Sequence, residues 1–316
     1  MRGRADSATR SAGPGVWVPE SPAGSSSARW FALMPFVFVL LWSTGFIVAK
    51  YAAPYAPPLT FLLYRFAGVI VVLLPLAWLM RAPWPRTRRA WLDTAIVGVL
   101  LQATYLGGVW AAIALGMPAG VSSLLVGTQP LLTAVFGFTV GERVKRLQWI
   151  GLLLGLAGIA LVLSDRLTLA GVGPLALGVN LLALVGITAG TLYQKRHGAG
   201  VDLRTGSIIQ FGASFIVLLP FAVAFESLAV DHTLEFWLAL AWSIVALSLV
   251  AISLLLVMIR RGRATQVASL MYLTPAMTAL LAWLVFGERL GAMAWAGVLV
   301  TMFGVALVVR RRDGNA

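Results

Sequence analysis

The stretch from Val121 to Val162 constrains this chain more than any other, because the chain carries it twice. A shift of 146 positions lays Val121, Ser123, Leu124, Thr128, Gly141, Glu142, Arg143, Trp149, Gly151, Gly158, Ala160, Leu161 and Val162 onto Val267, Ser269, Leu270, Thr274, Gly287, Glu288, Arg289, Trp295, Gly297, Gly304, Ala306, Leu307 and Val308. Chance similarity between two Leu/Val/Ala-rich stretches would match aliphatics. It would not place Gly-Glu-Arg, and a Trp six residues beyond the Arg, in one ungapped register. Upstream, Trp91 falls on Trp237 and Gly116 on Gly262 at the same shift, while Lys50, Thr60 and Leu73-Leu74-Pro75 fall on Lys195, Thr205 and Leu218-Leu219-Pro220 at 145. The sequence therefore consists of two homologous halves, roughly residues 30–165 and 174–312, and this duplication sets the architecture before any element is assigned.

Each copy is too apolar for a water-soluble domain. Hydrophobic residues make up 60% of the 316 and charged residues 11%, with a mean hydropathy of +0.91, whereas soluble domains are about a quarter charged. Lipid is the solvent this surface demands. From Phe31 onward, apolar segments follow one another, each long enough to cross about 30 Å of hydrocarbon as a helix. They fall at 31–50, 58–80, 91–114, 118–140, 147–164, 174–194, 206–226, 235–259, 265–286 and 292–309. Their length and uniform apolarity favour helices over the alternating strands of a membrane barrel. The predicted fold is an all-α integral membrane protein, with ten transmembrane helices arranged as two five-helix repeats. Residues 1–28, rich in Ser, Gly, Ala, Pro and Arg, cannot bury enough apolar surface to offset chain ordering and are expected to form a disordered cytoplasmic tail. The run from Phe31 to Ala49 is too long for a signal-peptide core and lacks a clear cleavage site, so a retained first helix is expected.

A net charge of +13 would suggest nucleic acid on a polar chain, but the positions of the bases decide its meaning. Lys and Arg crowd into the tail and alternate connections: Arg81 to Arg89, Arg143 to Arg146, Lys195 to Arg204, Arg260 to Arg263, and Arg310 to Arg312. Only Lys50, Arg166 and Arg289 occupy the intervening connections, and Arg65 lies inside a span. The crowded side is cytoplasmic by the positive-inside rule, which places both termini inside and the loop with Glu226, Asp231 and Glu235 outside. The charge is orientation information, with no need for a nucleic-acid partner. Because each half holds an odd number of spans, the second must enter from the opposite face, and the repeats are inverted. Inverted repeats are a recurrent design of secondary transporters, with substrate bound near the midplane where the halves meet.

At this point a family pattern is visible. Leu-Leu-Trp-Ser-Thr-Gly-Phe at 40–46 with Lys50, Leu-Thr-Phe-Leu-Leu-Tyr-Arg-Phe at 59–66, and paired Gly-Glu-Arg turns followed by Gly-rich spans resemble EamA-type members of the drug/metabolite transporter superfamily. The resemblance covers nearly everything after the tail, in two units. It implies a multi-pass carrier of a bacterial inner membrane that exports amino acids, related small metabolites or toxic compounds, and it carries over no particular substrate.

Polar side chains inside lipid-spanning helices are costly unless they face the bundle or a wet cavity, and they form the candidate site. Arg65 leads, since its guanidinium is able to hold a carboxylate through a bidentate pair; the alternative is that it snorkels or meets backbone carbonyls. Gln102, Gln129, Gln210 and Asn180 offer donors and acceptors to a polar solute or to neighbouring helices. The first span carries Trp42, Ser43, Thr44 and Phe46, and its repeat partner carries Thr188, Thr191 and Tyr193. Trp42, Phe46, Tyr64, Tyr105, Trp110 and Tyr272 are candidate aromatic cavity walls. Pro130 and Pro275 interrupt the fourth and ninth spans at nearly equivalent positions, as static kinks or as hinges. Gly151, Gly155 and Gly158, with Gly297 and Gly304, offer small-residue faces for a homodimer or for packing within the chain.

Glu142 and Glu288 are expected in salt-bridged turns, and Asp93 is expected as a helix N-terminal charge. No acid stands in mid-membrane. No Cys and only His197 and His232, both expected in loops, leave no metal site or cofactor to anticipate. A polytopic enzyme acting on lipid-linked substrates would need clustered acids, His or nucleophiles at an interface. A Gly-x-x-x-x-Gly-Lys-Ser/Thr phosphate loop is absent from the sequence. The expected partners are the lipid bilayer and a small-molecule substrate.

Overall fold

The computed structural model describes residues 25–117, 122, 125–141, 144–163, 173–198, 200–261, 264–286 and 292–309. The expected tail up to residue 24, and the turns holding Glu142, Arg143, Glu288 and Arg289, lie outside the described residues. Described residues form helices and turns without strands. In chain order, α1 is Ser25–Ala52, α2 Pro58–Leu79, α3 Arg88–Ala114, α4 Leu125–Val140 and α5 Arg146–Leu163. The second half supplies α6 at Pro174–His197, α7 at Leu203–Phe225, α8 at Leu234–Arg260, α9 at 264–286 and α10 at Ala292–Val309.

Five of these, α2, α3, α6, α7 and α8, are long and apolar enough to cross a membrane, and α4 and parts of α1 and α10 are apolar over shorter lengths. Their outward faces match that solvent, since Val71, Trp78, Ile216 and Phe225 are 70%, 79%, 71% and 79% exposed.

Helix starts repeat along with the sequence. Thr87 caps α3 by accepting from the Ala90 amide, and its repeat partner Thr233 caps α8 by accepting from Phe236. At α7 the cap is Asp202, which accepts from the Arg204 amide and guanidinium; that hydrogen-bonded cation holds the carboxyl below its usual range. The matching position before α2 is Pro57, which makes no side-chain cap. The Glu226 carboxylate, arriving from the far end of α7, fills this gap: it accepts from the Leu59 amide at 2.8 Å and from the Thr60 amide and hydroxyl at 2.7 Å each. At the opposite end of the pair, the Thr205 hydroxyl donates to the Pro83 carbonyl at 2.8 Å. Repeat partners Thr60 and Thr205 thus lie at opposite ends of two antiparallel helices, one from each half.

Charge sorts along the same axis. The end carrying Pro83 and Thr205 also carries Arg81, Arg86, Arg88 and Arg204. The other end gathers Glu226 and Asp231, whose amide donates to the Tyr55 carbonyl at 2.8 Å.

The small-residue faces are used within the chain. Gly304 of α10 lies so close to α5 that an added Cβ would sit 2.6 Å from the Gly151 carbonyl oxygen and the Gly155 nitrogen. Backbone cannot yield as a flexible side chain can, so Gly304→Leu is expected to cost about 2 kcal/mol or more by overpacking. A detergent melting curve of the variant, with the lipid-exposed Leu299→Ala as control, checks this: equal melting temperatures would mean that α5 and α10 do not pack this way.

Candidate functional site

Two wide-turn segments shape the centre of the bundle. Val99–Gly107 in α3 and Ser243–Ala251 in α8 adopt π-helical i→i+5 geometry at overlapping repeat positions. Such turns are rare and concentrate at functional sites. These carry Gln102 and Tyr105 on one side and Leu247 and Ser248 on the other. Between α1, α2, α3 and α8 they leave a cavity of about 550 Å³, its mouth included, bounded by Trp42, Arg65, Gln102, Tyr105, Trp110 and Leu247.

Arg65 is 4% exposed. Its Nε donates to the Ser248 hydroxyl at 2.7 Å, a bond from the first half to the second. Its terminal nitrogens hold no carboxylate among the described residues. Beside it, Gln102 is 1% exposed, and its Nε2 has no hydrogen-bond partner. The Trp42 and Tyr105 rings lie parallel, with centroids 6.3 Å apart and an interplanar angle of 1°. A buried cation with spare donors, an amide and aromatic faces can take an anionic group together with an apolar or aromatic body.

The polar set is an asymmetric version of one repeated motif. Arg65 corresponds to Gln210 in the second half, and Gln102 corresponds to Ser248. The Arg65–Ser248 bond therefore joins the variant members of two repeat pairs, which leaves one half-site cationic and the other neutral.

Of the residues singled out from sequence, Trp42, Arg65 and Gln102 come together at this cavity, with Tyr105 and Trp110 as walls. The side chains of Phe46 and Pro275 lie outside the described residues. Other candidates stand elsewhere. Tyr64 packs against His232 and Phe236 near the acidic end. Tyr272 is fully buried against Gly155, because the glycine leaves a ring-sized space on α5. Asn180 accepts from the Ser122 hydroxyl at 2.6 Å, so that amide ties α6 to the start of the fourth span. The Gln129 Nε2 donates to Thr133 one turn on, and its Oε1 has no partner. Gln210 passes its backbone across Gly98 of α3 and leaves its own Oε1 unpartnered. Near the prolines, α4 breaks at Thr128 and α9 tightens to a 3₁₀ turn at Leu270–Tyr272, each just before the Pro.

Two acid and base assignments change. Asp93 accepts from the Tyr193 hydroxyl at 2.6 Å and from Arg89 at 3.1 Å, and so joins α3 to α6 rather than serving as a lone helix-end charge. His197 is the last residue of α6, with its ring centroid 4.3 Å from that of Tyr193. Sequence distance hid the Asp93–Tyr193 contact, whereas Tyr193 and His197 are neighbours one helical turn apart and met once α6 extended through His197. Among the described residues no group of three His, Asp or Glu is placed to hold a metal ion.

Apolar helices from two sequence-related halves, with α2 and α7 antiparallel, surround a buried polar cavity, an arrangement that suits a multi-helix membrane transporter. Comparison with known proteins supplies the family: the EamA-like transporter family matches residues 29–164 and again 175–310, and this chain belongs to it. It is 28% identical to the Escherichia coli K12 inner membrane transporter YedA, over 86% of this chain and 88% of that one. It is 25% identical to a probable amino-acid metabolite efflux pump of the same organism, over 89% and 95% of the two chains. A crystal structure with 20% identity shares the fold with a TM-score of 0.73, covering 87% of this chain and 96% of that one. The family and these named relatives are transporters rather than enzymes.

Proposed function

We propose that this chain is a ten-span secondary carrier which exports small organic anions and amino acids by alternating access, with Arg65 holding the substrate carboxylate. The observation that carries this reading is Arg65 itself, buried in the cavity and, among the described residues, bonded to the Ser248 hydroxyl alone. A cation in a spanning helix costs about 2.5–3.5 kcal/mol on insertion scales and marks a substrate path when it faces a cavity. The Trp42, Tyr105 and Trp110 faces suit an aromatic or aliphatic body. Similarity to the probable amino-acid metabolite efflux pump of Escherichia coli K12 supports amino-acid metabolites as the cargo class.

In this reading the two halves, residues 30–165 and 174–312, cross a bacterial inner membrane in opposite senses. The end rich in Arg faces the cytoplasm together with both termini, and the Glu226 end faces out. Proteoliposome counterflow with phenylalanine, 3-phenylpropionate, phenethylamine and phenylalanine methyl ester tests the substrate class. The two free carboxylates should compete for transport, and the amine and the ester should not. Transport of phenethylamine as good as that of phenylalanine would remove the carboxylate from the reading.

A further inference from the structure

Repeat-equivalent contacts in this structure are unequal in a consistent direction. Ser43 of α1 touches α9: its hydroxyl donates to the Val39 carbonyl of its own turn at 2.7 Å and also lies 3.3 Å from the Thr274 carbonyl, and the Thr278 hydroxyl lies 3.5 Å from the Ser43 carbonyl. The equivalents of Ser43, Thr274 and Thr278 are Thr188 of α6 and Thr128 and Leu132 of α4. Thr188 makes the same bond within its own turn, to Leu184 at 2.8 Å, and among the described residues no bond to α4. Between it and Leu132 a cleft of about 870 Å³, mouth included, opens between α4 and α6 toward Arg196 and His197.

The second pair of contacts leans the other way. Gly190 of α6 is pressed onto α3, where an added Cβ would lie 2.6 Å from the Leu101 side chain. Its equivalent, Gly45 of α1, leaves 3.8 Å to Leu247 of α8, the repeat partner of Leu101. So α1 reaches α9 and leaves more room against α8 at Gly45 than α6 leaves against α3 at Gly190, whereas α6 is close to α3 and more open toward α4.

We propose that α1 and α6 are the moving elements of this carrier, each exchanging one neighbour for another. In the alternate state α6 closes on α4 through Thr188, Thr128 and Leu132, as α1 now closes on α9. At the same time α1 closes on α8, with Gly45 against Leu247, as Gly190 now lies against Leu101. The two halves have related sequences, so each half's present packing is a physically available packing for the other. The α4–α6 cleft is then the cytoplasmic gate, and its Arg196 rim attracts the anionic group that Arg65 receives deeper in. Asp93–Tyr193 holds α6 to α3 in the present state, and the Trp242 indole, donating to the Thr44 hydroxyl at 2.9 Å, tethers α1 to α8.

This inference rests on the carrier reading above, but it can be tested without any substrate. Because the chain contains no Cys, each introduced thiol pair reports alone. Leu132→Cys/Thr188→Cys and Ser43→Cys/Thr278→Cys, oxidised in native membranes, should each crosslink. Adding Gly45→Leu places bulk where a Cβ now has only ordinary contact with Leu247, 3.8 Å away, and where α1 must come closer when it meets α8. It should reduce the Leu132/Thr188 crosslink about tenfold by shifting the population, and leave the Ser43/Thr278 crosslink intact as a check on folding. Tyr193→Phe should raise the Leu132/Thr188 crosslink. An α4–α6 pair that never crosslinks, or one indifferent to Gly45→Leu, overturns the exchange. Either result would leave the role of Arg65 untouched, just as an Arg65 variant with full transport would leave the exchange standing.

Discussion

Arg65→Gln is expected to reduce carboxylate transport about 100-fold or more while the protein inserts and folds at least as well as the parent. The energetic argument runs in two directions. Substrate loses a charge-paired contact in a water-poor site, where an unpaired buried carboxylate costs about 2–5 kcal/mol, and 2.7 kcal/mol is already a factor of about 100. The protein loses only the 2.7 Å bond to Ser248 and is relieved of a buried cation. A residue kept for stability would show the opposite pattern. Counterflow of phenylalanine in proteoliposomes, set beside melting curves of the same preparations, separates the two. Arg65→Lys keeps the charge without the planar fork and should fall between the parent and Arg65→Gln. Full transport by Arg65→Gln would move the substrate away from this cavity.

The largest stability loss from one surface-end side chain is expected at Glu226. Its carboxylate satisfies two first-turn amides of α2 and the Thr60 hydroxyl, none of which Pro57 serves. Hydrogen bonds to a charged group contribute about 1.5–3 kcal/mol each, and a negative charge at a helix N-terminus adds a few tenths more. Discounting for partial exposure, Glu226→Ala should cost about 3 kcal/mol, and Thr60→Val, which removes the hydroxyl alone, about 1 kcal/mol. Glu226→Gln should lie between the parent and Glu226→Ala, since the amide oxygen accepts but carries no charge. The readout is thermal unfolding in one detergent. Equal melting temperatures for Glu226→Ala and the parent would show that α2 is capped in another way.

Helix positions were legible because lipid leaves an unambiguous record: long apolar segments bounded by bases, Pro and Thr. Starts such as Pro58 and Pro174 follow directly from the sequence, whereas the repeat-matched caps Thr87 and Thr233 begin α3 and α8 earlier than the expected 91 and 235. Arg65 was legible for the same reason, since an isolated cation in an apolar run has few acceptable surroundings. The π-helical turns were not. Val99–Gly107 and Ser243–Ala251 contain no Pro, and their apolar composition is compatible with an ordinary α-helix, so the wider turn reflects how α3 and α8 pack. Tyr272 looked like a cavity wall until Gly155 was seen to receive it.

By itself, the sequence determined that there are two related apolar halves and roughly where several of their helices begin. It also showed that a cation lies inside an apolar span and which connections carry the bases, because these depend on transfer between water and lipid and on local chain geometry. Only the tertiary structure decided which polar groups meet: that Arg65 bonds Ser248, that Asp93 joins Tyr193, and that Glu226 caps α2. It alone also decided that repeat-equivalent neighbours sit at unequal distances. Such choices are made by packing between segments far apart in the chain, where related repeats have similar local preferences and the side chains and space of their neighbours tell them apart.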